Sequence, residues 1–169
     1  MLSKSDKTKQ FIIEKSAPIF NTKGYAATSM NDILKATGLA KGGVYGNFAS
    51  KDEIAVAAFE YSYSQLKDAL RFKVKQETTA SGKLTAILKF YRNYTIAPHM
   101  EGGCPLMNTA VDADDHIPVL KEKAAAALKE LLQSLEYIIQ KGIDAGEFNS
   151  KLNVSREAIL FYSIIEGGI

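Results

Sequence analysis

Residues 28–51 read T-S-M-N-D-I-L-K-A-T-G-L-A-K-G-G-V-Y-G-N-F-A-S-K. Two short helices and a tight turn are written into this run, and a longer helix opens at its end. Ser29 and Asp32 have the S-x-x-D spacing of a capping box, in which the Ser oxygen takes a free amide and the acid reaches back to the N-cap amide. Met30, Ile33 and Leu34 give an apolar stripe at helical spacing. Gly38 closes the helix where a positive φ is required. Leu39, Val44, Tyr45 and Phe48 form a second stripe, and Ser50 with Glu53 is another capping box. Helix, glycine turn and short helix make a helix-turn-helix, whose second helix enters the DNA major groove.

An ordinary αα-hairpin would share this outline, so the second helix has to decide between them. Lys41, Gly42, Gly43, Gly46 and Asn47 are small, polar or basic and lie off its apolar stripe. A glycine inside a helix costs about 1 kcal/mol against Ala, a poor choice for a helix that only has to pack. Adjacent glycines suit the close approach of another backbone. Lys41 and the Tyr45 hydroxyl one turn later suit phosphates, which fix register without reading sequence, and Asn47 is the candidate for a base edge.

The run through Ile54, with its G-x-x-x-G-x-x-Y-x-x-F-x-S-K spacing from Gly38 to Lys51, resembles the DNA-binding signature of the TetR/AcrR family of bacterial transcriptional regulators. The resemblance implies an all-α protein with a three-helix DNA-binding head carrying the helix-turn-helix (residues 1–50). It also implies a helical ligand-binding and dimerisation body (residues 51–169). Carried over residue by residue, Thr28, Lys41, Gly42, Gly43, Tyr45, Asn47 and Lys51 become DNA-facing positions. Two departures stand out. Leu34 occupies a place where the family usually has a small residue, and Ala40 replaces the usual Ser or Thr cap of the recognition helix.

Composition agrees with an all-α chain: four prolines in 169 residues, 46% hydrophobic and 24% charged, with helix formers dominant. The net charge of +2 conceals an asymmetry. Residues 1–51 hold eight Lys against three acidic residues, whereas the remainder holds thirteen basic against sixteen acidic groups. A basic head on a mildly acidic body points to a polyanion met by the head alone. No run of about eighteen apolar residues offers a membrane span. Glu14 and Lys15 interrupt the first apolar run, which argues against a signal peptide. The single cysteine excludes an internal disulfide and fits a reducing, cytoplasmic setting.

Outside the quoted run, residues 4–23 form a first helix with Ile13, Ala17 and Phe20 on its stripe, bent at Pro18 and ended by Gly24. Lys4, Lys7 and Lys9 at its start can graze phosphate or form a solvated tail. A long helix over 51–76 carries two apolar faces, and residues 76–82 are a loop. Residues 83–97 are helical and stop before Pro98. Pro105 opens a helix to about Asp112. A helix over 119–145 ends at Gly146, and a last one starts near Asn153. The apolar residues of these last helices exceed what one helical layer covers, so a homodimer is expected, in agreement with the resemblance. The chain stops in mid-helix at Glu166-Gly167-Gly168-Ile169, which suggests a longer native protein.

No P-loop occurs. His99 and His116 have no companion ligand spacing, so neither a metal nor another cofactor is expected, and Asp112, Asp114 and Asp115 read as a solvated helix boundary. No nucleophile–base arrangement supports an enzyme. The body's aromatic and sulfur residues are more informative. Phe59, Tyr63, Leu66, Phe90, Tyr91, Tyr94, Met100, Cys104, Met107 and Asn108 fall on three successive helices and a turn. They serve as plain core or as the wall of a cavity for a small apolar or aromatic inducer, since buried tyrosine hydroxyls need partners. Cys104, just before Pro105, is either a small buried hydrophobe or a thiol activated by a helix N-terminus. The second option makes the protein a redox or electrophile sensor.

Overall fold

A computed structural model of the chain describes residues 3–94, 96–97, 100–113 and 117–168. Among them are eight helices and no strand: α1 (Lys4–Ala27), α2 (Met30–Thr37), α3 (Lys41–Tyr45), α4 (Lys51–Val74), α5 (Ala80–Tyr94), α6 (Pro105–Ala113), α7 (Pro118–Asp144) and α8 (Val154–Glu166). His99, Asp114, Asp115, His116, Pro98 and the last residue, Ile169, lie outside the described residues. The helices group into two compact units, residues 1–64 with 100–125, and residues 65–99 with 126–169; α4 and α7 contribute to both.

In the first unit the N-terminal core takes its buried members from four helices. Ile12 of α1, Ile33 of α2, Val44 of α3 and Ile54 of α4 are fully buried around Phe48, with Leu34 and Leu39 packed at the edge. The inward stripe of α1 therefore centres on Ile12, Ser16 and Ala17 rather than on Ile13. Helical dihedrals run through Pro18 without a break; the interruption is at Gly24, with φ 78° and ψ 167°. That left-handed φ is open to glycine at little cost and ends the long run of α1 where the sequence places its end.

Both ends of α2 are settled locally. Ser29 Oγ accepts the Asp32 amide at 3.2 Å while Asp32 accepts the Ser29 amide at 2.8 Å. Gly38 closes the helix at φ 67°. Helix α3 is only five residues long, and Ala40 provides no side-chain cap, so tertiary packing of Val44 and Phe48 holds it. The second capping box is skewed: Ser50 Oγ accepts the Glu53 amide at 3.2 Å, but Glu53 reaches past Ser50 to the Ala49 amide at 2.7 Å.

The second unit is built from the C-terminal part of α4 with α5, most of α7, and α8. Leu66, Ile87, Phe90, Tyr91, Tyr94, Leu135, Ile139 and Ile165 are buried there. Helix α5 begins three residues before the expected Lys83. The Glu147 carboxylate, distant in sequence, accepts the Ala80 and Ser81 amides at 3.0 and 2.9 Å and so caps that start. Asn153 caps α8 through the Arg156 amide.

Two outcomes follow for the N-terminal core. Ile33→Ala removes a fully buried side chain and should cost about 2–5 kcal/mol in urea unfolding. The Ser29 side chain and amide, with Lys23 at 2.9 Å, hold the Asp32 carboxyl well below the usual carboxylate range. Its contribution is therefore complete above the unfolded-state value of about 4 and is lost as pH falls below it. The stability gap between wild type and Asp32→Asn should be constant at neutral pH and close in acid; a gap that persists unchanged to about pH 2 contradicts this.

Candidate nucleic-acid interface

The surface of α3 divides cleanly. Val44 and, just beyond the helix, Phe48 point into the core. Lys41, Gly42 and Tyr45 lie on the opposite face and are exposed, Tyr45 at 50%. Tyr45 thus leaves the apolar stripe where its spacing placed it. A Cβ on Gly42 would meet nothing within 4 Å, so the missing side chain leaves an open approach to the backbone. Gly43 is half-buried over Leu39. At Gly46 a Cβ would lie 2.9 Å from the Gly42 carbonyl oxygen, so that glycine serves the turn itself.

Three expected DNA-facing residues have other work. Thr28 is 1% exposed and its hydroxyl donates to the Gly24 carbonyl at 2.6 Å; its side chain is part of the corner after α1. The Lys51 ammonium donates to the Tyr25 and Thr28 carbonyls, both at 2.9 Å, and lies 3.9 Å from the centre of the Tyr25 ring. Asn47 donates to the Gly43 carbonyl at 2.8 Å and its own side-chain oxygen accepts from Ser5 Oγ at 3.1 Å. Its amide therefore caps α3. Spacing located these residues at the helix-turn-helix, but the bonds that occupy Lys51 and Asn47 span 23 to 42 residues and leave no local signal, Asn47's bond to Gly43 apart.

Sequence reasoning missed Tyr25. Its ring stacks on Phe20 and lies under Lys51, its hydroxyl donates to Asp52, and its amide donates to Asp112 of α6. Burial, with Asp52 beside it, pushes the phenol up to about 12, so it is a neutral donor at any ordinary pH. Asp112 is accordingly a partner of α1 rather than a solvated helix boundary. One turn earlier, Asn108 donates to the Asn21 carbonyl at 3.1 Å and to the Gly102 carbonyl at 2.7 Å, while Asn21 donates to the Glu101 and Gly103 carbonyls.

Behind this seam α1, α4, α6 and the first turn of α7 surround a cavity lined by Phe20, Phe59, Ser62, Pro105, Asn108 and Asp112 among others. About 20 Å³ is open to a water molecule, room for about one water. Of the expected ligand-binding residues, Phe59 and Asn108 share this cavity. Tyr63 stacks on Phe59 at 6.0 Å, Cys104 is 3% exposed beside α6, and Met107 lines an outer groove with Val111 and Lys23. Leu66 is buried in the second unit, where Phe90, Tyr91 and Tyr94 pack ring against ring at 5.4–6.1 Å. Among the described residues no three His, Cys, Asp or Glu side chains gather into a metal-binding group, and no described helix is long and apolar enough to cross a membrane.

Comparison with known proteins agrees with this architecture. Residues 12–58 match the family of bacterial regulatory proteins of the tetR type, and residues 80–169 match the tetracyclin repressor-like C-terminal domain. A TetR-family transcriptional regulator from Cytophaga hutchinsonii is 42% identical, with a TM-score of 0.92 over 99% of this chain and 84% of its own. One from Chloroflexus aurantiacus is 34% identical, with a TM-score of 0.93 over 98% and 84%. The fold, at 23% identity and a TM-score of 0.75, is shared by the Bacillus subtilis regulator FadR, whose structure is a complex with stearoyl-CoA; the match covers 94% of this chain and 83% of that one. With a helix-turn-helix whose second helix, α3, turns Lys41, Gly42 and Tyr45 outward, and with both halves of the family pattern present, the chain belongs to the TetR/AcrR family of transcriptional regulators.

Proposed function

We propose that the protein is a homodimeric, cytoplasmic repressor that binds operator DNA through residues 1–50 and is released by an apolar or aromatic ligand bound mainly by residues 51–169, with α1 closing one wall of the site. The observation that carries the DNA half is the outward face of α3. A helix held by Val44 and Phe48 keeps an ammonium, a bare backbone and a phenol on its far side, free of partners among the described residues. Lys41 and Tyr45 supply phosphate contacts, and Gly42 lets the sugar–phosphate backbone come close.

Pairing is supported by α7 and α8, where Tyr137, Ile159, Leu160 and Ile164 are 44–69% exposed. Exposed apolar side chains on these two helices are what a subunit interface would cover. A two-fold dimer suits an operator with half-sites one helical turn apart, about 34–36 Å, or a multiple of it.

For the ligand, the cavity beside Phe59 and Asn108 is the favoured site. It combines apolar walls with a few polar groups, and at its present volume a ligand has to open it. An inducer of this kind acts only if it binds the released form better than the DNA-bound form. Fatty acyl thioesters, the class of the ligand carried by the FadR complex, belong in the first screen beside simple aromatics. A covalent signal through Cys104 has less support, because a buried thiol is shielded from oxidants; Cys104→Ser should leave induction intact.

In a gel shift with the DNA upstream of its own gene, wild type should bind specifically. Tyr45→Ala should weaken binding by about tenfold or more, the value of a hydrogen bond to a charged group. Gly42→Ala should fold at least as stably as wild type, since Ala gains about 1 kcal/mol in a helix, yet bind DNA less well. A ligand that raises the melting temperature should release the same DNA. The absence of any salt-dependent preference for DNA from its own genomic neighbourhood would overturn the regulator.

A further inference from the structure

The eight lysines of residues 1–51 are not equivalent. Lys9 pairs with Glu53 at 3.6 Å and sits over the Phe48 ring, Lys23 pairs with Asp32, and Lys51 is spent on the carbonyls of Tyr25 and Thr28. These three hold the fold together. Lys4 and Lys7 are exposed and pair with no carboxylate among the described residues. Their position is fixed by their neighbour. Ser5, between them, donates its hydroxyl to Asn47, which in turn caps α3. The first turn of α1 is thereby tied to the end of the helix whose outer face carries Tyr45.

From this juxtaposition we infer that Lys4 and Lys7 form a second phosphate-binding element, separate from the helix-turn-helix motif, that grips the DNA backbone beside the groove in which α3 lies. The inference rests on the DNA-binding reading above. Two amides of the helix start are already taken: Ser3 N–H donates to the Asp6 carboxylate at 3.0 Å and Asp6 N–H to Ser3 Oγ at 3.1 Å. The first of these bonds also turns the Asp6 carboxylate, the acid nearest the two lysines in sequence, back onto Ser3, and the neighbouring Glu53 is engaged by Lys9 and the Ala49 amide. Two ammonium groups with no carboxylate partner among the described residues, next to a DNA-reading helix, are placed to displace counterions. Binding of this kind adds affinity on any sequence, not discrimination between sequences.

The test is the salt dependence of binding by the full-length dimer, on its operator and on an unrelated duplex of equal length. For Lys4→Gln/Lys7→Gln the slope of log K against log salt should fall by about 3.6, roughly 0.9 for each of the four phosphates that the two heads of the dimer no longer neutralise. The fall in affinity should be the same on both duplexes, so that the preference for the operator is unchanged. Lys4→Arg/Lys7→Arg should keep the wild-type slope, and the melting temperature of both variants should match wild type because neither side chain is in an ion pair among the described residues. A wild-type slope in the Gln variant would overturn the inference while leaving the regulator standing, and so would a fall confined to the operator. Failure of the wild type to bind either duplex would overturn both.

Discussion

The N-terminal part of this structure depends on a single ammonium group. A helix that ends leaves carbonyl oxygens without partners, and α1 ends at a corner where water is partly excluded. Lys51, the first residue of α4, fills that position from the far side, donating to the Tyr25 and Thr28 carbonyls and covering the Tyr25 ring. A cation at a helix C-terminus is favourable in its own right, and hydrogen bonds from charged donors are among the stronger ones. One side chain therefore fixes the end of α1, the approach to α2 and the origin of α4. The Gly24 break makes this possible, because its left-handed φ swings Tyr25 to Thr28 into reach.

Helix α3 depends on that frame more than its neighbours do. It has five residues, no side-chain cap at its start and two glycines, so its intrinsic helical tendency is weak. Its direction is set by Val44 and Phe48 in a core shared with Ile12, Ile33 and Ile54, and by Asn47 at its end. The face it offers to solvent is accordingly rigid for reasons that lie outside it. Weak local helicity and strong tertiary anchoring together let a helix carry bare glycines on its working side.

What the sequence shows and what it conceals divide along the range of the interactions. The box at Ser29 and Asp32, the turn at Gly38 and the inward positions of Ile33 and Val44 are legible because they depend on residues three or four apart. The likeness of their motif puts Thr28, Lys51 and Asn47 on the DNA side, yet each side chain is occupied inside the head. A motif of this sort mixes two kinds of residue, those that touch the ligand and those that hold up the ones that do. Only the long-range bonds sort them: Asn47 to Ser5, Lys51 to Tyr25. The early start of α5 is hidden for the same reason, since its cap, Glu147, is 66 and 67 residues away.

The seam between α1 and α6 shows how such bonds relate to regulation. Asp112 holds the Tyr25 amide, and Asn108 holds the Asn21 and Gly102 carbonyls. Asn21, Tyr25, Asn108 and Asp112 all line the small cavity beside Phe59. On the proposed reading, a ligand that widens this cavity acts on the same few bonds that seat the end of α1, one residue from the Gly24 corner. Each such bond contributes a net ~0.5–1.5 kcal/mol, and coupling between sites is of the order of 1–3 kcal/mol. Breaking or rearranging two or three of them is therefore enough to account for induction. A larger rearrangement is not needed, and a core packed as tightly as that around Ile12 and Ile33 would resist one.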